Sequence, residues 1–245
     1  MAQRPDDYIH LGQRRRLVQH LRERGIRDEA VLEAIARVPR QWFVGRAYEA
    51  MAYEDRPLPI RSGQTISQPF TVARQSELLA VRPRVKVLEV GTGSGYQAAV
   101  LSEMGARVYT LERHQDLCAS ARRTLREAGH GRVRVFLQDG YQGLAAYAPF
   151  DRILVTAGAA ELPRRLVEQL APRGRLVIPL GAERQVMTVI ERDPEGRLRE
   201  SRHGSFRFVP FQPGVVGDGA RTSNHPERPK RDQPPTRRPV GRSTS

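Results

Sequence analysis

Five consecutive residues, Gly91-Thr92-Gly93-Ser94-Gly95, follow the largely apolar run Val87-Leu88-Glu89-Val90. Glycine has no Cβ, so such a loop turns tightly and lets backbone approach a ligand closely. The dinucleotide fingerprint G-x-G-x-x-G would place its third glycine at position 96, where Tyr96 stands. The pyrophosphate-binding spacing is therefore broken. The G-x-G-x-G that remains suits S-adenosylmethionine, which has no pyrophosphate to cradle. Three carboxylates accompany the loop. Glu89 precedes it and is placed to accept from the cofactor's methionyl amino group. Glu112 closes the next apolar run, where a carboxylate takes both ribose hydroxyls. Asp139, followed by Gly140, closes the third run and can take the adenine amino group. Any one of them alone reads as an exposed loop charge. At three successive strand ends beside a glycine loop, they converge on one crevice.

The elements that must position these groups can be read from the same sequence. Lys86–Val90, Arg107–Leu111, Val133–Leu137, Asp151–Thr156 and Arg175–Pro179 are short apolar β runs. Helical patterns near Gly95–Met104, Asp116–Ala128 and Leu162–Gln169 separate most of them. Apolar strands alternating with helices predict a doubly wound, mostly parallel α/β sheet covered on both faces. A ligand crevice is expected at the strands' C-terminal ends. Gln185–Arg192 and Leu198–Val209, joined by Asp193-Pro194-Glu195-Gly196, predict a C-terminal antiparallel hairpin. Upstream, Gln13–Arg24 reads as a helix ended by Gly25, and Asp28 as the N-cap of a second helix stopped by Pro39. An irregular stretch over 40–69 precedes a helix near Thr71–Leu79. The expected organisation is a flexible arm (1–12), an N-terminal helical and substrate-loop region (13–80), a cofactor-binding α/β domain (81–213) and a disordered basic tail (214–245), whose Pro, Arg, Ser and Gly offer little apolar surface.

Composition narrows the classes. The 245-residue chain is 39% hydrophobic and 28% charged, with a net charge of +14. Lys86 and Lys230 are its only lysines. The arginines are scattered, which fits compositional bias better than a nucleic-acid surface. The one cysteine, Cys118, permits no intramolecular disulfide, as expected in a reducing compartment. Neither a signal-peptide core nor an apolar run of about 20 residues is present. A cytoplasmic location follows as the expectation. The histidines show no metal-ligand spacing with Cys118 or each other, and no metal is expected.

Several stretches together resemble one family, the protein-L-isoaspartate O-methyltransferases. They are Arg24-Gly25-Ile26 with Val31–Ile35, Tyr53-Glu54-Asp55-Arg56-Pro57-Leu58-Pro59-Ile60, Gln64-Thr65-Ile66-Ser67-Gln68-Pro69, Leu88–Ala99, Asp151-Arg152-Ile153, Gly174–Pro179 and Arg207-Phe208-Val209-Pro210. The resemblance covers about residues 14–212. It implies a class I methyltransferase, Rossmann-like fold and S-adenosylmethionine as cofactor. The implied substrate is an L-isoaspartyl residue in a damaged protein or peptide, whose free carboxylate displaces the sulfonium methyl in line. The methyl ester then closes to a succinimide without the enzyme. Cofactor contacts are expected from Glu89, Gly91, Thr92, Gly93, Gly95, Glu112, Asp139 and Gly140. The serine matching Ser67 is the family's active-site residue. Thr65 joins it as a hydroxyl donor, with Gln64, Ile66 and Gln185 on the substrate side. The residue pattern alone would make Ser67 the N-cap of the helix begun by Pro69. Isoaspartyl proteins are the expected partners of a monomer, without membrane or nucleic acid.

The chain departs from the pattern at Gln138, where the family has glycine, and at Ala157-Gly158-Ala159-Ala160, where it has an Ala-rich run ending in proline. Two alternatives stay open: a relative that methylates one dedicated peptide, and an RNA methyltransferase. Against the second, Thr156-Ala157-Gly158-Ala159 stands where base-amine enzymes carry an Asn/Asp-Pro-Pro-aromatic motif.

Overall fold

The computed structural model describes residues 6–217. The arm residues 1–5 and most of the expected tail, 218–245, lie outside it. Helix α1 spans Tyr8–Glu23 and starts at Tyr8, not at Gln13. The reason is Asp7, whose Oδ1 accepts from the amides of Ile9 and His10, both at 3.0 Å, and so supplies the cap that the sequence pattern did not register. Helix α2, Glu29–Arg37, begins where Asp28 was expected to cap it, with Asp28 Oδ1 accepting from Ala30 N at 3.0 Å. In the stretch read as irregular, Leu58–Pro59 (β1) and Thr65–Ile66 (β2) form a short antiparallel ladder. Helix α3, Pro69–Leu79, follows directly.

The αβ alternation then runs as expected: β3 (Lys86–Val90), α4 (Tyr96–Glu103), β4 (Arg107–Glu112), α5 (Gln115–Glu127), β5 (Arg134–Leu137), β6 (Phe150–Val155), α6 (Arg164–Glu168), β7 (Leu170–Leu180), β8 (Gln185–Arg192) and β9 (Leu198–Phe206). The seven longer strands form one sheet in the order β5-β4-β3-β6-β7-β8-β9. From β5 to β7 neighbours are parallel; β8 and β9 are added antiparallel. Strand β7 starts five residues earlier than the apolar run Arg175–Pro179 suggested. Pro172-Arg173-Gly174 reads as a turn, yet the chain accommodates it as an irregularity, with Arg173 at φ 59° and Phe150 still paired to Leu170.

Side chains of a strand alternate between faces. Val87, Val108, Leu154 and Val177 belong to the apolar cluster under α2, α3 and α4, whereas Leu88, Val90, Ile153 and Leu176 belong to the cluster on the opposite face. Both faces are thus buried, and the strand ends become the place left for a ligand. The order reverses at β3: the chain runs outward through β4 and β5, then crosses back to β6 on the other side. That reversal point is where an open α/β sheet forms its crevice. Among the described residues no helix is long and apolar enough to cross a membrane.

Candidate active site

The loop after β3 adopts a conformation that only glycine enters freely. Gly91, Gly93 and Gly95 have φ of 100°, 54° and 92°. Gly91 and Thr92 both donate their amides to Leu111 O, at 2.9 and 3.0 Å, which presses the loop against β4. A Cβ on Gly91 would collide with Thr156 Oγ1. The loop floors a cleft whose other walls include Val72, Leu111, Glu112, Gly140 and Phe211.

Glu112 closes β4 and lines this cleft, only 5% exposed. Gly93 N donates to its Oε2 at 2.8 Å and His114 N to its Oε1 at 3.0 Å. These two bonds fix the carboxylate, and each oxygen keeps a lone pair for an incoming hydroxyl. The expectation for Glu89 needs correction. Its side chain is not on the cleft wall. It lies buried behind it, on the face of Val87, where Thr110 Oγ1 donates to Oε2. Thr110 in turn shares a 2.7 Å hydrogen bond with Thr92, which does line the cleft. Burial, with the nearby Glu112 carboxylate adding to it and the Thr110 bond opposing, raises the Glu89 carboxyl to about 8. Asp139 Oδ1 accepts from Tyr141 N at 2.9 Å, and it is the neighbours Gln138 and Gly140 that line the cleft. Gly140 is obligatory for space, since a Cβ there would strike Val90 and Phe211.

Gln64, Thr65, Ile66 and Ser67 all reach the cleft. The helix-capping reading of Ser67 does not hold. The N-cap of α3 is Gln68, without a side-chain cap bond; the orphan amide of Phe70 is taken instead by Asp55 Oδ1 at 2.8 Å. Asp55 is itself fixed by an ion pair to Arg24. This remote cap leaves Ser67 out of the capping role, on the lining of the cleft. The Ser67 carbonyl is held by Arg40, which is fully buried and also donates to Ala52 O, each at 2.8 Å. Arg40 sits 4.7 Å above the Tyr96 ring centroid. Gln185, expected on the substrate side, is not there. Its amide donates to Ala182 O and its carbonyl accepts from Phe208 N, both at 3.0 Å, so it braces the start of β8.

The sequence reading missed three contributors. Thr156 ends the β6 wall, its Oγ1 donating to Gly91 O at 2.7 Å. Arg113 and His114 line the cleft beyond Glu112. The third is the segment after β9, which crosses the strand ends so that Val209–Gln212 close one side of the cleft. Gly158 N donates to Val209 O and Phe211 N to Gly158 O, both at 2.8 Å. Phe211 stacks on Tyr141 at 4.0 Å, and Arg113 grips Gln212 Oε1, Pro213 O and Gly214 O. Only pairing across distant strands reveals these positions; the run Arg207–Pro210 was the one local hint.

The donor set fits S-adenosylmethionine. A fixed carboxylate lines the cleft and can accept from a diol, the loop presents glycine backbone, and Gly140 leaves a slot between Val90 and Phe211.

Comparison with known proteins agrees with this geometry. Residues 12–215 match the family model "Protein-L-isoaspartate(D-aspartate) O-methyltransferase (PCMT)". The chain is 48% identical over 219 residues to a protein-L-isoaspartate O-methyltransferase of Cytophaga hutchinsonii, covering 89% of this chain and 98% of that one. It is 54% identical over 195 residues to the enzyme of that name from Gloeobacter violaceus, covering 79% and 95%. Among solved structures, a Plasmodium falciparum protein described as a protein-L-isoaspartate O-methyltransferase, in complex with S-adenosyl-L-homocysteine, superposes with a TM-score of 0.73 at 28% identity, covering 81% of this chain and 98% of that one.

Proposed function

The chain belongs to the protein-L-isoaspartate(D-aspartate) O-methyltransferase family, and from that premise we propose that it methylates the free carboxylate of L-isoaspartyl residues in damaged proteins and peptides. When bound, S-adenosylmethionine supplies an electrophilic methyl group to that carboxylate and leaves as S-adenosylhomocysteine. Glu112, the Gly91–Gly95 loop, Gln138 and Gly140 hold the cofactor in this reading, with Glu89 acting indirectly through Thr110 and Thr92.

One observation carries the assignment of the acceptor side. Thr65, Ser67 and Thr156 line the cofactor cleft and also a second groove running along residues 203–209. Together with Val209 they are the residues common to both, so a group passing from the groove to the cleft meets hydroxyl-bearing side chains at the junction. No strong base is needed there, because a carboxylate with a pKa of about 4 is already ionised at pH 7. The protein's work is orientation, which is worth roughly 7–11 kcal/mol in well-aligned cases. Thr65 and Ser67 donate to one carboxylate oxygen and leave the other directed at the cleft. Arg40, through the Ser67 carbonyl, keeps that loop in place. Gln64 and Ile66 flank the acceptor. The buried Cys118 thiol, pushed up by burial, takes no part. We place the enzyme in the cytoplasm, acting as a monomer on isoaspartyl proteins.

The test uses labelled S-adenosylmethionine with paired peptides that differ only in carrying isoaspartate or aspartate, and with bulk RNA. Base-labile label on the isoaspartyl peptide alone is expected. Label on RNA, or on neither peptide, overturns the assignment.

A further inference from the structure

The groove along residues 203–209 has a one-sided charge. Arg24, Arg74, Arg184 and Arg207 line it together with His203, and no carboxylate does. Two of the arginines are neutralised at their heads, Arg24 by Asp55 and Arg74 by Glu77. Arg184 and Arg207 are exposed and have no ion-pair partner among the described residues. The positive field registers on His203, whose pKa is held below the ordinary histidine value by burial and by Arg74 and Arg175. Between the charges lie the apolar faces of Phe70, Phe206 and Phe208. The groove takes in His203–Phe206, the end of β9, which among the described residues is the terminal strand of the sheet. An extended polypeptide can lie along such an edge.

We propose that this groove receives the residues flanking the isoaspartyl site and selects segments with acidic neighbours over segments with basic ones. The inference rests on the carboxyl methyltransferase reading above. It adds which substrates that site prefers and which residues decide it. The occupant is identified by charge complementarity: an acidic segment offers Arg184 and Arg207 the partners they lack, and brings no cation against Arg24 or Arg74. A basic segment meets the two unpaired guanidiniums of Arg184 and Arg207, with no carboxylate lining the groove to receive it. Exposed pairs are individually weak, so the preference is a graded bias. Two such pairs give on the order of five- to tenfold in kcat/KM, carried by KM since the reacting groups are untouched.

The experiment compares three isoaspartyl peptides of one length, whose flanking positions are Glu, Gln or Lys, at low and high salt, with wild type and with the exposed double variant R184E/R207E. The expected order for wild type is Glu, Gln, Lys, with a spread that shrinks at high salt and an order that reverses in the variant. S-adenosylhomocysteine affinity, measured in parallel, stays within a few-fold and shows that the variant is folded. Equal KM for all three peptides, or an acidic preference that survives in R184E/R207E, overturns the inference while leaving the methyltransferase reading intact. If none of the three peptides accepts methyl, it is the methyltransferase reading that fails.

Discussion

Two carboxylates that look equivalent in sequence, Glu89 and Glu112, are given different work by their surroundings. Glu112 edges the cleft with its orientation fixed by two amides, so truncating it removes charge-assisted bonds of about 1.5–3 kcal/mol. Glu112→Ala is expected to weaken S-adenosylhomocysteine binding by roughly 10–100-fold by calorimetry; an unchanged Kd would place the ribose elsewhere. Glu89→Gln keeps the shape and should change that Kd only a few-fold. Its signature is instead a pH dependence of stability. The Glu89 carboxyl titrates at about 8 in the fold against an ordinary value of 4.5. Between those values the folded state holds more protons than the unfolded one, so this group's contribution declines as pH rises from about 4.5 to about 8 and is level above. Wild type should therefore lose several degrees of Tm relative to E89Q between pH 5 and pH 8. A constant difference would mean that Glu89 titrates like an exposed acid. Residue types and spacing exposed the glycine loop and Glu112, because strand ends can be counted. They did not reveal that Glu89 points into the layer under α3 and α4, nor that Asp139 bonds its own turn. Both depend on side-chain direction, which a one-dimensional spacing leaves open.

At the scale of elements, the αβ alternation from Lys86 to Leu180 was legible because buried parallel strands are apolar throughout and their helices carry a 3.6-residue stripe. The boundaries that moved were those set by side chains outside the pattern: Asp7 lengthened α1, and an irregularity let β7 run through Pro172-Arg173-Gly174. The start of α3 is the instructive case. Ser67 before Pro69 has the local form of a cap, yet the cap comes from Asp55, across 15 residues. Asp55→Ala should cost about 1–2 kcal/mol and lower Tm by a few degrees. Ser67→Ala should leave Tm unchanged and reduce kcat/KM for an isoaspartyl peptide about 10–100-fold, the worth of one hydroxyl donated to a charged acceptor. If S67A melts as low as D55A, the serine is a cap after all.

The whole molecule closes its site with residues from both ends of the sheet order. The glycine loop follows β3 at the reversal point, but the cleft is incomplete until the chain leaves β9 at the far edge and returns across the strand ends. There Phe211 packs on Tyr141, and Arg113 holds Gln212, Pro213 and Gly214. Sequence periodicity cannot announce this return, because residues 207–217 carry no strand or helix repeat and are held by contacts made about 50–100 positions away in the chain. The consequence can be tested with two truncations. Ending the chain after residue 217 removes only residues beyond every described cleft contact. S-adenosylhomocysteine affinity and kcat/KM should stay at the full-length values, whatever basic character residues 218–245 contribute. Ending it after residue 206 leaves β9 and the glycine loop in place but removes Val209–Gln212 from the cleft wall. With Phe211 gone, the slot beside Gly140 opens to water, and several cofactor contacts go with it. Affinity should fall by at least tenfold while the far-ultraviolet circular dichroism of the sheet and helices is retained. Equal affinity in the two truncations would show that the segment after β9 only covers a site already complete without it.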